Sequence, residues 1–540
     1  MTIPGWFGNA RLPSHTIPES DSQATESIEQ RLLRDPDADL VFLLETTPSS
    51  GTPLRLSDVG YITAAGDTPA STPFPDLLLN PYNVEISIPT PDSGAAVADL
   101  AFGVLELESG DEDLDARLSE SWEGREATIK VGGTYDVGLA TQTTLSYAQF
   151  PTVQRGTIQS VGWTDGRIVL SLREVLQKLS EPIQANTYSG AGGLNGGDAI
   201  KGTRKKLAYG PVFNFEPVLV VASTQIYQWH DGAVDAVTAL RDRGVVLIND
   251  GDVSDIVAAA APPGGHYVTQ NSGGYLKLGG VPDGRITLDG RGDKTGGVYV
   301  STTATIAKRL ATRVGLVDPG DFEGGSFSGF PDTSEIVYVP DDGESALVGI
   351  ANLMAGIFGW VSTTRTGLLR IGKYLNQAAS SPAVTITDDT LEMIEDETQL
   401  PPAWRIEVEY ARNWTPQDSD ALSDVLTVAE RELYSEPSRL EIKEDAAIKT
   451  LHKDARVVRI IGYQTTQANA LALAIEAFNV LSQRARVYRA RVERQMFQRQ
   501  PGDVVEVVSS DSDLPAGRNL YLFSVGEDAA ERSNDWGLWG

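Results

Sequence analysis

Val153–Glu174, VQRGTIQSVGWTDGRIVLSLRE, reads as two strands around a tight turn. Asp165-Gly166 is the type of pair that two-residue hairpins favour, and Gly156 and Gly162 punctuate the β-type run before it. Beyond the turn, Ile168, Leu170 and Leu172 recur at every second position, so one face of the second strand is apolar and half-buried. Upstream lie further short apolar runs: LVFLLE from Leu40, VEISIP at Val84–Pro89, LAFGVLELE at Leu100–Glu108 and EATIKVGG from Glu126. Strands of this kind leave exposed edges unless the sheet closes. Residues 39–185 are therefore expected to form a tube-like β-barrel domain, closed by a short helix at Arg173–Leu179.

The rest of the chain divides by pattern. Residues 1–38, rich in Ser, Pro, Asp and Glu, form an N-terminal arm with one short helix expected at Ser27–Arg34. Residues 186–296 open with the Gly-rich GAGGLNGGDAIKG and continue as short strands and turns, a β-rich inserted domain. Residues 297–375 change to helical periodicity. Ile306, Leu310 and Val314 follow the capping candidates Ser301 and Thr303, with Gly315 as the stop. A second helix after Asp342 carries Leu347, Ile350, Ala351, Met354, Ile357 and Phe358 as one stripe. VSTTRTGLLRIGK then reads as a hairpin turning at Thr366-Gly367, completing a small α/β domain. Residues 376–540 return to β structure as a second tube-like barrel. Its one long helix, Ala468–Arg484, places Leu471, Ile475, Phe478 and Leu481 on one face. The fold class is mainly β with some α (α+β): two tube-like β-barrel domains with inserted smaller β and α/β domains.

Composition narrows the chemistry. Zero cysteines remove disulfides, thiolate metal sites and cysteine nucleophiles. The 74 acidic residues against 44 basic ones give a net charge of −30, which repels nucleic acid wherever bases are not concentrated locally. No run of eighteen apolar residues suggests a membrane span, and MTIPGWFGNARLPSH lacks the pattern of a signal peptide. The four histidines, His15, His230, His266 and His452, are far apart, and no G-x-S-x-G elbow accompanies them. His230, in a Trp-His-Asp-Gly turn, reads as scaffold. Glu106, Glu108, Asp111, Glu112 and Asp113 make chance carboxylate pairs without EF-hand spacing, and GAGGLNGGDAIKGTRKK lacks the Gly-Lys-Ser/Thr of a P-loop. Neither an enzymatic activity nor a cofactor or metal is expected.

The one concentrated basic segment is Arg484–Arg499. On a strand, Arg489, Arg491 and Glu493 share a face while Tyr488, Ala490 and Val492 share the other. Its arginines fit an acidic neighbouring subunit better than nucleic acid in so acidic a chain. Trp229, Trp404 and Trp539 join Arg489 and Arg491 as interface candidates, because aromatics and arginine dominate buried subunit contacts.

Four passages, in this order, resemble the baseplate hub and tail-tip family of long non-contractile phage tails, including gene-transfer-agent-like tails. They are Trp122-Glu123-Gly124-Arg125 with EATIKVGG; the hairpin passage from Phe150, running on to Leu179–Gln184; Lys201–Leu247, KGTRKKLAYGPVFNFEPVLVVASTQIYQWHDGAVDAVTALRDRGVVL; and the set from WRIEVEYARNW through PGDVVEVV to the terminal Gly-Leu-Trp-Gly. The resemblance implies a homotrimer that closes the distal end of the tail tube, each chain supplying two barrels that continue the sixfold tube. It implies a distal tail protein or tube ring above, and a central fibre, spike or receptor-binding proteins below. It further implies a tape measure protein in the lumen and DNA passing without specific binding, all in the virion at the distal end of the tail. The missing cysteines depart from those hubs that hold an iron–sulfur cluster. An alternative is a tail-associated enzyme degrading polysaccharide or peptidoglycan, although neither a β-helix repeat nor a hydrolase module is visible.

Overall fold

The computed structural model describes residues 38–540 apart from 82, 95, 97–98, 103, 109–111, 118, 137–141, 165, 174, 494–496, 498 and 529–532. The N-terminal arm with its expected helix, His15 and Asp111 fall outside the described residues. Twelve strands come first: β1 (Asp39–Thr46), β2 (Leu54–Ser57), β3 (Tyr61–Ile62), β4 (Pro73–Phe74), β5 (Leu78–Asn80), β6 (Asn83–Ser87), β7 (Asp99–Phe102), β8 (Val104–Glu108), β9 (Glu126–Asp136), β10 (Gln142–Thr144), β11 (Thr152–Thr164) and β12 (Arg167–Arg173). The hairpin that opened the sequence reading is β11–β12, with Trp163 opposite Ile168 and Gly166 at φ 75°. Ile168, Leu170 and Leu172 are all buried, as their alternation requires.

The first eight-stranded sheet runs β2-β1-β9-β11-β12-β8-β5, with β10 added to β9. It curls around one core that includes Phe42, Leu44, Leu107, Ile129, Ile158 and Leu170. It does not close, because β2 and β5 remain unpaired ends. The expected closing helix is a 3-10 turn at Val175–Ser180.

Nine strands build the inserted domain: β13 (Pro211–Phe215), β14 (Val218–Val221), β15 (Ile226–Gln228), β16 (Val234–Asp242), β17 (Val245–Val246), β18 (Ile248–Asp252), β19 (His266–Gln270), β20 (Tyr275–Leu278) and β21 (Ile286–Asp293). They form two sheets, β13-β21-β16-β17 and β14-β15-β20-β19-β18. Trp229, Leu240, Leu276 and Leu288 belong to the core they share. The α/β domain follows. Its first helix, Thr303–Arg313, is capped by Thr302, one residue from each sequence candidate, and ends before Gly315 at φ 100°. Its second, Ala346–Ala355, starts at Ser345, whose side chain accepts from the Val348 amide. β22 (Gly359–Thr363) and β23 (Leu369–Lys373) make the expected hairpin.

The last strands are β24 (Thr385–Thr387), β25 (Leu391–Leu400), β26 (Ala403–Tyr410), β27 (Arg439–Glu444), β28 (Arg456–Ile461), β29 (Ala485–Val492), β30 (Val504–Ser509), β31 (Leu514–Asp528) and β32 (Ser533–Trp539). WRIEVEYARNW does alternate, but β26 sits in a separate three-stranded sheet, β27-β26-β28, covered by the helix Gln467–Leu481. The second eight-stranded sheet runs β24-β30-β31-β32-β29-β25 and is also open. Its remaining strands come from the other end of the chain. β6 pairs with β31, Ser87 opposite Ser524, and β7 pairs with β6. LAFGVLELE is thus two strands in two sheets, β7 in the second and β8 in the first.

The long helix buries only part of the expected stripe: Leu481 is buried and Phe478 packs half-buried against the same core, but the two residues before them turn outward. Ala470, Leu473, Ala474, Ala477 and Leu481 are buried against β26, whereas Leu471 and Ile475 are 37% and 39% exposed. Alanines let helix and sheet approach closely, so Leu471 and Ile475 face out. Among the described residues no helix is long and apolar enough to cross a membrane.

Candidate functional site

Lys201–Leu247 carries the resemblance's third passage and the only fully buried histidine among the described residues, so its chemistry comes first. Gly210, at φ 70°, has no room for a side chain: a Cβ there would lie 1.9 Å from the Ile336 carbonyl oxygen. Tyr209 and Tyr338 exchange backbone hydrogen bonds of 2.8 and 2.9 Å, tying this passage to the α/β domain. The basic opening is held by its own fold. The Arg204 guanidinium donates to the Gln184 carbonyl at 2.5 Å, Lys205 lies over the Tyr188 ring, and half-buried Lys206 donates to the Glu216 carbonyl at 2.8 Å. Burial holds the Lys206 amine below its ordinary pKa, a poor setting for binding a phosphate.

His230 Nδ1 accepts from the Ala208 amide at 3.0 Å, which leaves the proton of the neutral ring on Nε2. Nε2 faces Asp293 Oδ1 at 3.5 Å. Asp293 in turn accepts from Arg309 and from the Thr295 hydroxyl, both at 2.6 Å. Burial pushes the His230 pKa below its ordinary value, with Asp293 pulling the other way. Burial raises the Asp293 carboxyl, but His230, Thr295 and Arg309 outweigh it and leave the group below its usual range. A histidine and an aspartate in contact suggest part of a catalytic triad. Here the nitrogen that would serve a nucleophile is taken by a backbone amide, and both side chains are wholly buried. The pair holds the end of β21 to the turn after β15 within the inserted domain, and Arg309 ties Asp293 to the first helix of the α/β domain. Among the described residues no group of three His, Asp or Glu could hold a metal ion.

The basic strand keeps the register read from its sequence. Tyr488, Ala490 and Val492 are buried, and the side chains of Arg489 and Arg491 are 63% and 43% exposed. Their charge is matched within the chain: Arg489 Nε lies 3.1 Å from Glu397, and Arg491 Nε lies 2.9 Å from Asp535 and 4.0 Å from Glu392. Arg486 pairs with Asp396. β25, LEMIEDETQL, places Glu392, Asp396 and Glu397 alongside one edge of the strand, and β32 places Asp535 along the other. The sequence reading missed β25 as a strand because acids crowd its apolar positions.

Two of the tryptophan candidates lie inside the chain's own cores. Trp229 is fully buried in the inserted domain, its ring edge-on to Phe215 at 6.4 Å. Trp539 is 2% exposed and donates through Nε1 to Asp92 at 3.0 Å, fastening the end of the chain beside β6. Large apolar rings fill their own cores first, so neither is presented to a partner. Trp404 is half-buried, with Lys449 4.3 Å and Arg405 5.9 Å from its ring centre. The five candidates are not brought together in one patch: Trp404 lies on the three-stranded sheet, and Arg489 and Arg491 lie on the second eight-stranded sheet.

Where the two large sheets meet, a further group stands out that sequence reading did not single out. Arg365, in the β22–β23 turn, has a side chain only 7% exposed. Its Nε and Nη2 donate to the two oxygens of Glu527 on β31, both at 2.9 Å. Nη2 also donates to the Arg499 carbonyl at 2.5 Å, and the Phe497 amide donates to Glu527 at 2.6 Å. The Arg365 carbonyl accepts from the Arg155 amide of β11 at 3.0 Å, while Phe497 packs on Phe42 of β1 at 6.2 Å. One buried ion pair therefore touches both sheets. Its only sequence signal is an arginine inside a Thr-Thr-Arg-Thr-Gly turn, which looks like solvent-exposed chemistry.

No family model matches this chain, and no curated protein matches it. Among solved structures it is similar to the 43 kDa tail protein of prophage MuSo2 from Shewanella oneidensis, at 10% identity and a TM-score of 0.36, covering 92% of this chain and 98% of that one. A tail protein from Neisseria meningitidis gives 9% identity and a TM-score of 0.36, covering 92% and 95%. A chain of the native gene transfer agent virion gives 12% and 0.39, covering 67% and 90%. Two of these three solved structures are tail proteins and the third is a virion chain; at TM-scores below 0.5 the likenesses carry no argument about what this chain does.

Proposed function

We propose that this chain is a structural protein of a phage tail, a baseplate hub that closes the distal end of the tail tube as a trimer. The observation that carries the reading is the construction of the two eight-stranded sheets. They come mostly from opposite ends of the chain, and they are joined by β6, which pairs with β31 of the second sheet while its Val84 and Ile86 pack in the core of the first, and by the Arg365–Glu527 pair. A chain built this way supplies two similar curved walls held at fixed spacing, which is what three copies need to continue a sixfold tube. In this reading the open edges β2, β5 and β25 are completed by neighbouring copies, giving the tube-like barrels that the sequence suggests. A net charge of −30 lets DNA pass without adhering. Spike or receptor-binding proteins dock below, a distal tail protein or tube ring sits above, and the tape measure protein ends in the lumen. Trp404, Arg489 and Arg491 remain candidates for those contacts. The His230 geometry offers no support to a hydrolytic role.

Light scattering on the purified chain, together with immunogold labelling of purified tails, tests this. Three copies per particle and label at one tail end are expected. A chain that stays monomeric and is absent from tails contradicts the proposal. Clearing of host cell walls by the purified chain would favour the enzymatic alternative.

A further inference from the structure

The outer side of the helix Gln467–Leu481 forms one wall of a cleft of about 260 Å³. Asn469, Ala472, Glu476 and Asn479 lie on that wall at the three- and four-residue spacing that puts helical side chains on one face. The end of β23 and the segment after it supply Lys373 and Asn376 opposite, and Asp332 comes from the loop before them. The Lys373 side chain is only 9% exposed and is committed already, to Glu476 and, at 3.9 Å, to Asp332. By contrast, the side-chain amides of Asn376, Asn469 and Asn479 have no hydrogen-bond partner among the described residues.

The lining selects a kind of ligand. Three carboxamides each offer donors and an acceptor, and a fourth, Gln464, offers an Oε1 with no hydrogen-bond partner among the described residues, so they match a molecule whose groups also both donate and accept. Two carboxylates against one ammonium leave the cleft without net positive charge, which disfavours phosphates and carboxylates. Ala472, Pro331, Leu375 and Leu473 supply apolar lining of the kind that the C–H faces of a sugar ring pack against. The volume is below the roughly 300 Å³ at which drug-sized sites begin. We propose that this cleft binds a neutral polyhydroxyl ligand the size of a single sugar ring, as a free sugar or as one unit of a longer saccharide. The site is separate from the sheet junction and from the edges invoked for assembly, so it stands or falls independently of the tail assignment.

Saturation-transfer NMR on the full chain would test it, with glucose, N-acetylglucosamine, a short glucan and inorganic phosphate as probes. At least one neutral saccharide is expected to bind, and phosphate is not. Binding of the glucan but not of the monosaccharides would identify a chain unit as the ligand. The Asn469→Ala/Asn479→Ala double variant should weaken binding about tenfold. Ala472→Trp, which fills the cleft from an exposed helix position, should abolish it. Each variant is checked for an unchanged unfolding midpoint. Failure of all neutral saccharides to bind at tens of millimolar, or equal binding by both variants, would overturn the proposal.

Discussion

His230 and Arg365 show how buried polar residues behave when each has a defined partner. The His230 pKa is held below its ordinary 6.5, so on acidification the unfolded chain takes up the proton first. The pair's contribution is therefore complete above about pH 6.5 and declines as pH falls toward the folded value. The thermal midpoint should drop between about pH 7 and about pH 5, and His230→Asn should flatten that part of the profile while lowering the midpoint overall. An unchanged pH profile in the variant would remove His230 from this role. Arg365→Leu leaves Glu527 buried beside backbone carbonyls and should cost about 3–5 kcal/mol in denaturant unfolding. Replacing both residues by leucine should recover part of that loss. A cost below about 0.5 kcal/mol for Arg365→Leu would show that the pair does not join the sheets.

At the scale of single elements, what was legible in the sequence was what local periodicity controls. The β11–β12 hairpin, the burial register of β29 and the helix Thr303–Arg313 all follow from side-chain alternation, a turn pair or a cap within a few residues. Partner choice was not legible. β6 has an ordinary strand pattern, and nothing near it indicates that Asn83 will bond to Asp528, 445 positions away. The helix Gln467–Leu481 misled for another reason: the eye follows leucine and isoleucine, whereas close approach to β26 selects alanine. Two substitutions separate these faces. Ala474→Leu should destabilise by about 1–3 kcal/mol through overpacking, and Leu471→Gln should change stability by no more than about 0.5 kcal/mol. Equal costs would mean that the helix packs in the sequence-derived orientation. Of the site itself, only the scaffold role of His230 and the register of the arginines could be read in advance. The acids that answer those arginines, and the Arg365 junction, depend on strands that meet only in the folded chain.

Taken as a whole, the molecule is two open, curved sheets held by a shared exchange of strands, with a β-rich insertion and an α/β domain between them. The end strands of an open sheet expose backbone donors and acceptors that another chain can pair with, as the proposed assembly requires. A cryo-EM reconstruction, resolving the distal tip, of the phage tail proposed to carry this chain tests the central claim most directly. The proposal predicts three copies around the tail axis, with the two eight-stranded sheets of each forming six repeating units beneath the tube. A tip that lacks the chain, or one in which it sits as a single copy off the axis, would contradict it.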